Sequence, residues 1–167
     1  MSHCRREAVV RRGRSVSKRA SVARLVAVFV VFFSVSAAAS VADAGFASSA
    51  HSYYAIAGIN YRNHATIYTD HAGGHLADAR STAISQSGAV SAGWMGALPQ
   101  RRSSTGALQC TGTWAYTSSA TTTITAYGCS ILNHSTYSSQ GATRVWRNDG
   151  SGTYSTHGTF LSPNQNS

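Results

Sequence analysis

From Gly45 onward, short runs of Thr, Tyr, Val and Ile alternate with breaks rich in Gly, Ser and Asn. This pattern is typical of β-strands joined by turns. Helix-favouring residues are scarce there, since the segment has no Lys, no Glu and only five Leu. We therefore expect an all-β fold, a small antiparallel β-sandwich, with strands in residues 53–61, 64–69, 79–85, 90–98, 110–117, 121–129, 143–147 and 153–160.

Turn signals between these runs predict hairpins. The first two runs can pair through a turn at Arg62 and Asn63, and the last two through the Gly-rich segment 148–152. Pro99 is expected to end the strand before it, and the polar segment 100–106 to form a loop. Residues 162–167 are expected to be a loose tail.

The two runs that carry Cys110 and Cys129 are the most informative. If Ser119 and Ala120 form a tight turn, the cysteines face each other and can form a disulfide. The same register places Trp114, Tyr116 and Tyr127 on the cysteine face and mostly threonines on the other. Ser-Ala is a poor dipeptide for such a turn, so a longer turn or a bridge between two sheets stays open.

The first 44 residues have the three parts of an export signal in the required order. Seven Arg and one Lys lie in the first 24 residues, the apolar run 25–33 follows, and small residues lead to Ala44. We interpret residues 1–44 as a signal peptide and residues 45–167 as a secreted, extracellular domain. A membrane anchor is the alternative, but the run is short for a bilayer, and no membrane span is expected after cleavage.

Removal of this segment changes the charge of the protein. The whole chain has a formal net charge of +9, which would suggest a nucleic-acid partner. Residues 45–167 contain only six Arg against three Asp, and most of the arginines are scattered. We therefore expect no nucleic-acid partner, whereas an anionic cell-wall polymer or an acidic secreted protein could still be attracted.

A loop rich in His and Asp is the candidate metal site. Its nitrogen and oxygen ligands could hold zinc or a similar ion, and they come from Asp70, His71, His75 and Asp78. A solvated loop is the alternative, because Gly73 and Gly74 do not pre-organise the pair of histidines. No cofactor is expected. No nucleophile elbow or metalloprotease motif occurs, so no residue is assigned as catalytic.

Aromatic residues are the better functional lead. Residues 45–167 hold thirteen Phe, Tyr and Trp, more than a small core needs, and such rings near Arg and Asn would suit a sugar or protein surface. Packing in the core is the alternative for each of the candidates, which are Trp94, Trp114, Tyr116 and Trp146. The sequence thus predicts a non-enzymatic protein that binds at the cell envelope or within an extracellular assembly. A bacteriocin-like antibacterial protein, and a small secreted hydrolase or metal-dependent enzyme, are the alternatives.

The chain resembles small secreted proteins of streptomycetes and related actinomycetes. The segments that carry this resemblance are Ala92–Gly96, Cys110–Cys129, Ser139–Arg144 and Ser162–Asn166. Most of those proteins have no assigned function, so the resemblance implies no catalytic residue. The strands that lead to Gly93 and Trp94 are also similar to the lactococcin 972 type of bacteriocin, which is secreted, small and rich in β-structure.

Overall fold

The computed structural model describes residues 45–71 and 74–167, so the interpreted signal peptide lies outside the described residues. Within these ranges the chain forms eleven strands. They are β1 (Gly45–Ser48), β2 (Ser52–Ile56), β3 (Ile59–Asp70), β4 (Leu76–Ser85), β5 (Met95–Ser103), β6 (Leu108–Thr111), β7 (Ala115–Tyr116), β8 (Thr123–Leu132), β9 (Thr136–Trp146), β10 (Tyr154–Gly158) and β11 (Gln165–Asn166).

The strands form two antiparallel sheets that pack together, which confirms the prediction of an all-β sandwich. In the five-stranded sheet, β4 lies between β3 and β8, and β1 and β2 share the other edge of β3. In the six-stranded sheet, β5 and β9 are central. Strands β6 and β7 pair with β5, while β10 and β11 pair with β9. The described part of the chain contains no helix long and apolar enough to cross a membrane.

The core consists of two hydrophobic clusters. One is built around Tyr61, Met95 and Val145, and the other around Ile67 and Tyr137. Other buried positions on the inner faces hold small residues or polar residues that are hydrogen-bonded. For example, Asn63 Nδ2 donates to Thr143 Oγ1 at 2.7 Å. This bond joins β3 to β9 and satisfies two buried polar groups, which would otherwise be costly to desolvate.

The hairpin between β2 and β3 forms as expected, but the predicted position of its turn is wrong. The turn lies at Ala57 and Gly58, whose φ angles of 52° and 76° give the left-handed conformation that a tight hairpin needs. Arg62 and Asn63 lie inside β3 instead. Alanine rarely adopts a positive φ, so Ala-Gly gave no usual turn signal.

The predicted end of a strand at Pro99 is also wrong, because β5 continues through Pro99 to Ser103. Proline has no N–H, so within a central strand it would break a ladder bond. Here the Pro99 carbonyl accepts from the N–H of Gly112, which lies in the break between β6 and β7. Pro99 therefore faces the interruption between β6 and β7, where the absence of its N–H breaks no ladder bond.

The disulfide between Cys110 and Cys129 is present, but the hairpin predicted around it is wrong. Strands β6 and β7 pair with β5, whereas β8 pairs with β4. The disulfide therefore connects the two sheets, and Trp114 and Tyr127 do not share a face. The other predicted hairpin is confirmed, since Tyr154 pairs with Trp146 across the turn 148–152.

The C-terminal segment is held against the sandwich, so the prediction of a loose tail is wrong. Gln165 and Asn166 form β11 beside the start of β9, and Gln165 is buried. The hydroxyl of Ser162 also accepts from the buried N–H of Ser139 at 2.8 Å. These backbone contacts order a segment whose composition alone suggested mobility.

Candidate functional site

The outer face of the six-stranded sheet carries a cluster of aromatic side chains around one arginine. Along β9, Thr143 and Val145 are fully buried, so the alternate residues Arg144 and Trp146 point away from the core. Strand pairing places Tyr154 beside Trp146 and Gly96 beside Arg144. Tyr116 follows on the far side of Gly96. We call this surface the Arg144 patch: Trp114, Tyr116, Arg144, Trp146 and Tyr154.

Arg144 lies at the centre of the patch and contacts its rings directly. The guanidinium carbon is 3.5 Å from the centroid of the Trp114 ring, and Nη1 donates a hydrogen bond to the Tyr116 hydroxyl at 2.7 Å. The Tyr154 ring lies further out, with its centroid 5.8 Å from the guanidinium carbon. Stacking on Trp114 and the bond to Tyr116 fix the plane of the guanidinium, which gives the cation one preferred orientation.

The rings also support each other. Tyr154 packs edge-on against Trp146, with 5.2 Å between centroids, and lies 5.5 Å from the Tyr116 ring. The Tyr154 hydroxyl donates to the carbonyl of Gly93 at 2.7 Å, which anchors the ring to the loop before β5. Because Tyr116 and Tyr154 are held by hydrogen bonds, Trp146 by its edge-on contact with Tyr154 and Trp114 by the guanidinium of Arg144, the patch is a pre-organised surface rather than a set of free side chains.

Gly96 allows the rings to approach the sheet closely. A Cβ at this position would lie 2.9 Å from the Tyr116 ring and 3.1 Å from the Arg144 side chain. Any larger residue would therefore push Tyr116 and Arg144 away from the sheet. Gly96 forms the floor of the patch, a role that the sequence pattern did not indicate.

The patch is positively charged and partly open to solvent. Among the described residues, Arg144 has no carboxylate partner, whereas Arg80 and Arg147 pair with Asp78 and Asp149. Tyr116 is 39% exposed, and Trp114 and Trp146 are half-buried. An uncompensated cation framed by rings is suited to an anionic ligand that also carries an apolar face.

Three of the four aromatic residues selected from the sequence meet in this patch: Trp114, Tyr116 and Trp146. Trp94 does not, because it packs against the core cluster of Tyr61, Met95 and Val145. Sequence reasoning missed Arg144 and Tyr154. A signal was present, since Arg144 and Trp146 are two residues apart on a predicted strand and must share a face.

Of the candidate metal ligands, the rings of His71 and His75 lie together, with 5.5 Å between centroids, whereas Asp78 is held by other partners. Asp78 accepts from Arg80 Nε at 3.1 Å and from Ser130 Oγ at 2.8 Å. His71 Nε2 contacts the carbonyl of Asn166, and the His75 ring packs on His134. Across residues 45–71 and 74–167, no group of three or more His, Cys, Asp or Glu is arranged to hold a metal ion.

Comparisons with protein-family models, with curated proteins and with solved structures find no match for this chain.

Proposed function

We propose that residues 45–167 form a secreted, non-enzymatic binding domain whose Arg144 patch binds an acidic polysaccharide of the cell envelope. The observation that carries this proposal is the Arg144 guanidinium, stacked on Trp114 among open rings and without a carboxylate partner in the described residues. An acidic polysaccharide has a negative charge for the guanidinium and an apolar sugar face for the rings.

The chemistry of the patch fits each requirement separately. The C–H face of a sugar ring is apolar and can lie flat on the open parts of Trp114, Trp146 and Tyr154. A carboxylate or phosphate on the sugar can accept from the guanidinium, which has five N–H donors. Within the described residues Arg144 donates only from Nη1 to the Tyr116 hydroxyl and its Nε is buried, so the remaining N–H groups of Nη1 and Nη2 are the donors left for the ligand.

Secretion is the second half of the proposal. It is supported by the basic, apolar and small-residue parts of residues 1–44, which come in the order of an export signal. The disulfide between Cys110 and Cys129 is compatible with an oxidising, extracellular location. Outside the cell, polymers with carboxylate and phosphate groups are the abundant anions that the patch would meet.

Binding of a soluble polyuronate, measured by titration calorimetry with dextran as the neutral counterpart, tests the function. We expect the protein that starts at Gly45 to bind the polyuronate in preference to dextran, and added salt to weaken binding. Arg144→Gln removes a charged hydrogen bond, and Trp114→Ala removes the stacking surface. Each should weaken binding about tenfold or more, since a hydrogen bond to a charged group contributes about 1.5–3 kcal/mol.

Arg147→Gln is the matched control. Arg147 directly follows β9, is exposed, and is paired with Asp149 outside the patch, so the variant loses the same formal charge. Its affinity should stay close to that of the unaltered protein. Equal losses in the two arginine variants would show a general charge effect, and dextran binding as tight as polyuronate binding would contradict the proposal.

A further inference from the structure

The outer face of the five-stranded sheet carries a second cluster of rings around an arginine. Strand pairing places Phe46 beside Tyr68 and Tyr127 beside Arg80. Arg80 lies two residues along β4 from Asp78, which pairs with Tyr68, so all of these side chains share the outer face. We call this surface the Arg80 patch: Phe46, Tyr68, Asp78, Arg80 and Tyr127. The sequence analysis did not indicate it.

Arg80 is surrounded by three rings at similar distances. Its guanidinium carbon lies 4.9 Å from the centroid of Phe46, 4.7 Å from that of Tyr68 and 4.9 Å from that of Tyr127. The rings of Phe46 and Tyr68 are 4.8 Å apart and tilted by 39°. The three rings come from three strands, so the patch depends on the whole sheet and not on one local segment.

Two of the three rings around Arg80 are mostly exposed, so their contact with Arg80 covers only a small part of their surface. Phe46 is 63% and Tyr127 is 64% exposed, so most of each ring faces solvent. Such apolar surface favours association, and rings next to polar groups are common in binding surfaces. The open sides of Phe46 and Tyr127 flank the guanidinium, where a flat apolar group could stack.

Asp78 sets the orientation of Arg80 and the charge of the patch. Its carboxylate accepts from Arg80 Nε, and Ser130 Oγ holds its other oxygen. Within the described residues, the terminal Nη1 and Nη2 groups of Arg80 have no hydrogen-bond partner. The Arg80 patch therefore offers two donor groups, with four N–H bonds, beside a carboxylate, an arrangement suited to the hydroxyl groups of a sugar.

We propose that the Arg80 patch is a second polysaccharide-binding site, so that one molecule binds two chains of the same polymer. This inference rests on the proposed function of the Arg144 patch. Both clusters combine one arginine with several partly open rings, and the outer faces of the two packed sheets point in opposite directions. Two sites facing apart cannot bind one short segment of polymer together, but they can connect two chains.

The two sites differ in charge, which separates them experimentally. Arg144 has no carboxylate partner in the described residues, whereas Arg80 is neutralised by Asp78. Binding at the Arg144 patch therefore weakens strongly with salt, and binding at the Arg80 patch weakens little. At high salt the Arg80 patch becomes the main contact with the polymer.

Titration calorimetry with a short oligouronate, too short to reach both faces, tests the inference. We expect two oligosaccharides per protein for the unaltered chain that starts at Gly45, and one for Tyr127→Ala, for Phe46→Ala and for Arg144→Gln. With the long polyuronate, the unaltered protein should connect chains and raise the turbidity of the solution. Each of these variants should lose the turbidity while keeping one site.

Tyr53→Ala is the matched control, because Tyr53 is also 63% exposed and lies on the outer face of the same sheet, beside Arg62. It should keep two sites and full turbidity. A single site that Arg144→Gln removes and Tyr127→Ala and Phe46→Ala leave intact would overturn the second site while the proposed function stands. Absence of binding in every protein would overturn both.

Discussion

Two histidines are held in half-buried positions where a positive charge is unfavourable. The His157 ring stacks on Tyr54 with 3.7 Å between centroids and an interplanar angle of 7°, and Nε2 lies 2.9 Å from Ser155 Oγ. His64 packs edge-on against His51 at 4.9 Å. Burial lowers the pKa of both histidines, and His51 and Arg62 lower that of His64 further.

These lowered pKa values predict that the folded protein becomes less stable in mild acid. Histidine in an unfolded chain has a pKa of about 6.5, so below that pH the unfolded chain takes up more protons than the folded one. The free energy of unfolding should therefore be highest above about pH 6.5. It should fall as the pH drops through this value toward the lower pKa of each folded histidine, as urea unfolding at a series of pH values would measure.

Single substitutions separate the contribution of each histidine. His64→Gln and His157→Gln should each reduce the slope of stability against pH below about pH 6.5, whatever they do to stability at neutral pH. His134→Gln, at an exposed position, is the control and should leave most of the slope in place. An unchanged slope in the double variant of His64 and His157 would contradict this explanation.

At the scale of the strands, Gly141 allows the two sheets to pack closely. It lies in β9 beside Pro99, and a Cβ there would come within 3.0 Å of both Ser81 Oγ and the Leu98 carbonyl oxygen. The Leu98 carbonyl belongs to the neighbouring strand and cannot move aside cheaply. Ser81 comes from β4 in the opposite sheet, so Gly141 lies where the sheets meet.

Gly141→Ala should therefore destabilise the fold strongly. Overpacking of a close contact costs about 1–3 kcal/mol and sometimes more, and here one contact is with backbone. Gly158→Ala is the matched control, because Gly158 is also in the six-stranded sheet and an added Cβ meets nothing within 4 Å. Urea unfolding should show a loss of at least about 2 kcal/mol for Gly141→Ala and little change for Gly158→Ala. Similar stability of the two variants would contradict the close approach of the sheets.

What the sequence could predict about the elements depends on how local each signal is. The hairpin of β9 and β10 was predictable, because Asn148 to Gly152 is a strong turn signal between two alternating runs. The partner of β8 was not, because threonine- and tyrosine-rich runs specify a half-buried strand without specifying its neighbour. The Arg144 patch was predictable only in part, because only some of its residues are brought together by a local signal. Its members on β9 share a face by periodicity, whereas Trp114 reaches them only through the pairing of β7 with β5.

At the scale of the whole molecule, the disulfide adds a covalent link between two sheets that otherwise associate through packing and hydrogen bonds such as that of Asn63 to Thr143. Cys110 lies on β6 in the six-stranded sheet and Cys129 on β8 in the other. The buried guanidinium of Arg101, on the strand beside β6, donates to the carbonyl of Cys129 and lies 5.1 Å from the Tyr137 ring centroid. At Cys129, the covalent link between the sheets and one of the hydrogen bonds between them therefore involve the same residue.

The proposed export and this disulfide together predict how the protein matures. Expressed with all 167 residues in a secreting bacterium, it should be recovered from the medium with Gly45 as its first residue. Intact mass should show the two cysteines oxidised, since disulfides form and persist in oxidising compartments. Recovery of the full-length chain in the cell fraction alone would contradict export.

The double variant Cys110→Ser and Cys129→Ser should be exported but less stable. The bridge joins residues 19 apart in sequence, and a loop of that length contributes about 3 kcal/mol through the restricted unfolded chain. Thermal unfolding should therefore shift downward by on the order of 10 °C, and a reducing agent should shift the unaltered protein toward the variant. Because Cys110 pairs with Arg101 on β5, five residues from Gly96 at the floor of the Arg144 patch, the folded variant should still bind polyuronate. Loss of that binding at a temperature where the variant is folded would show that the patch depends on the bridge.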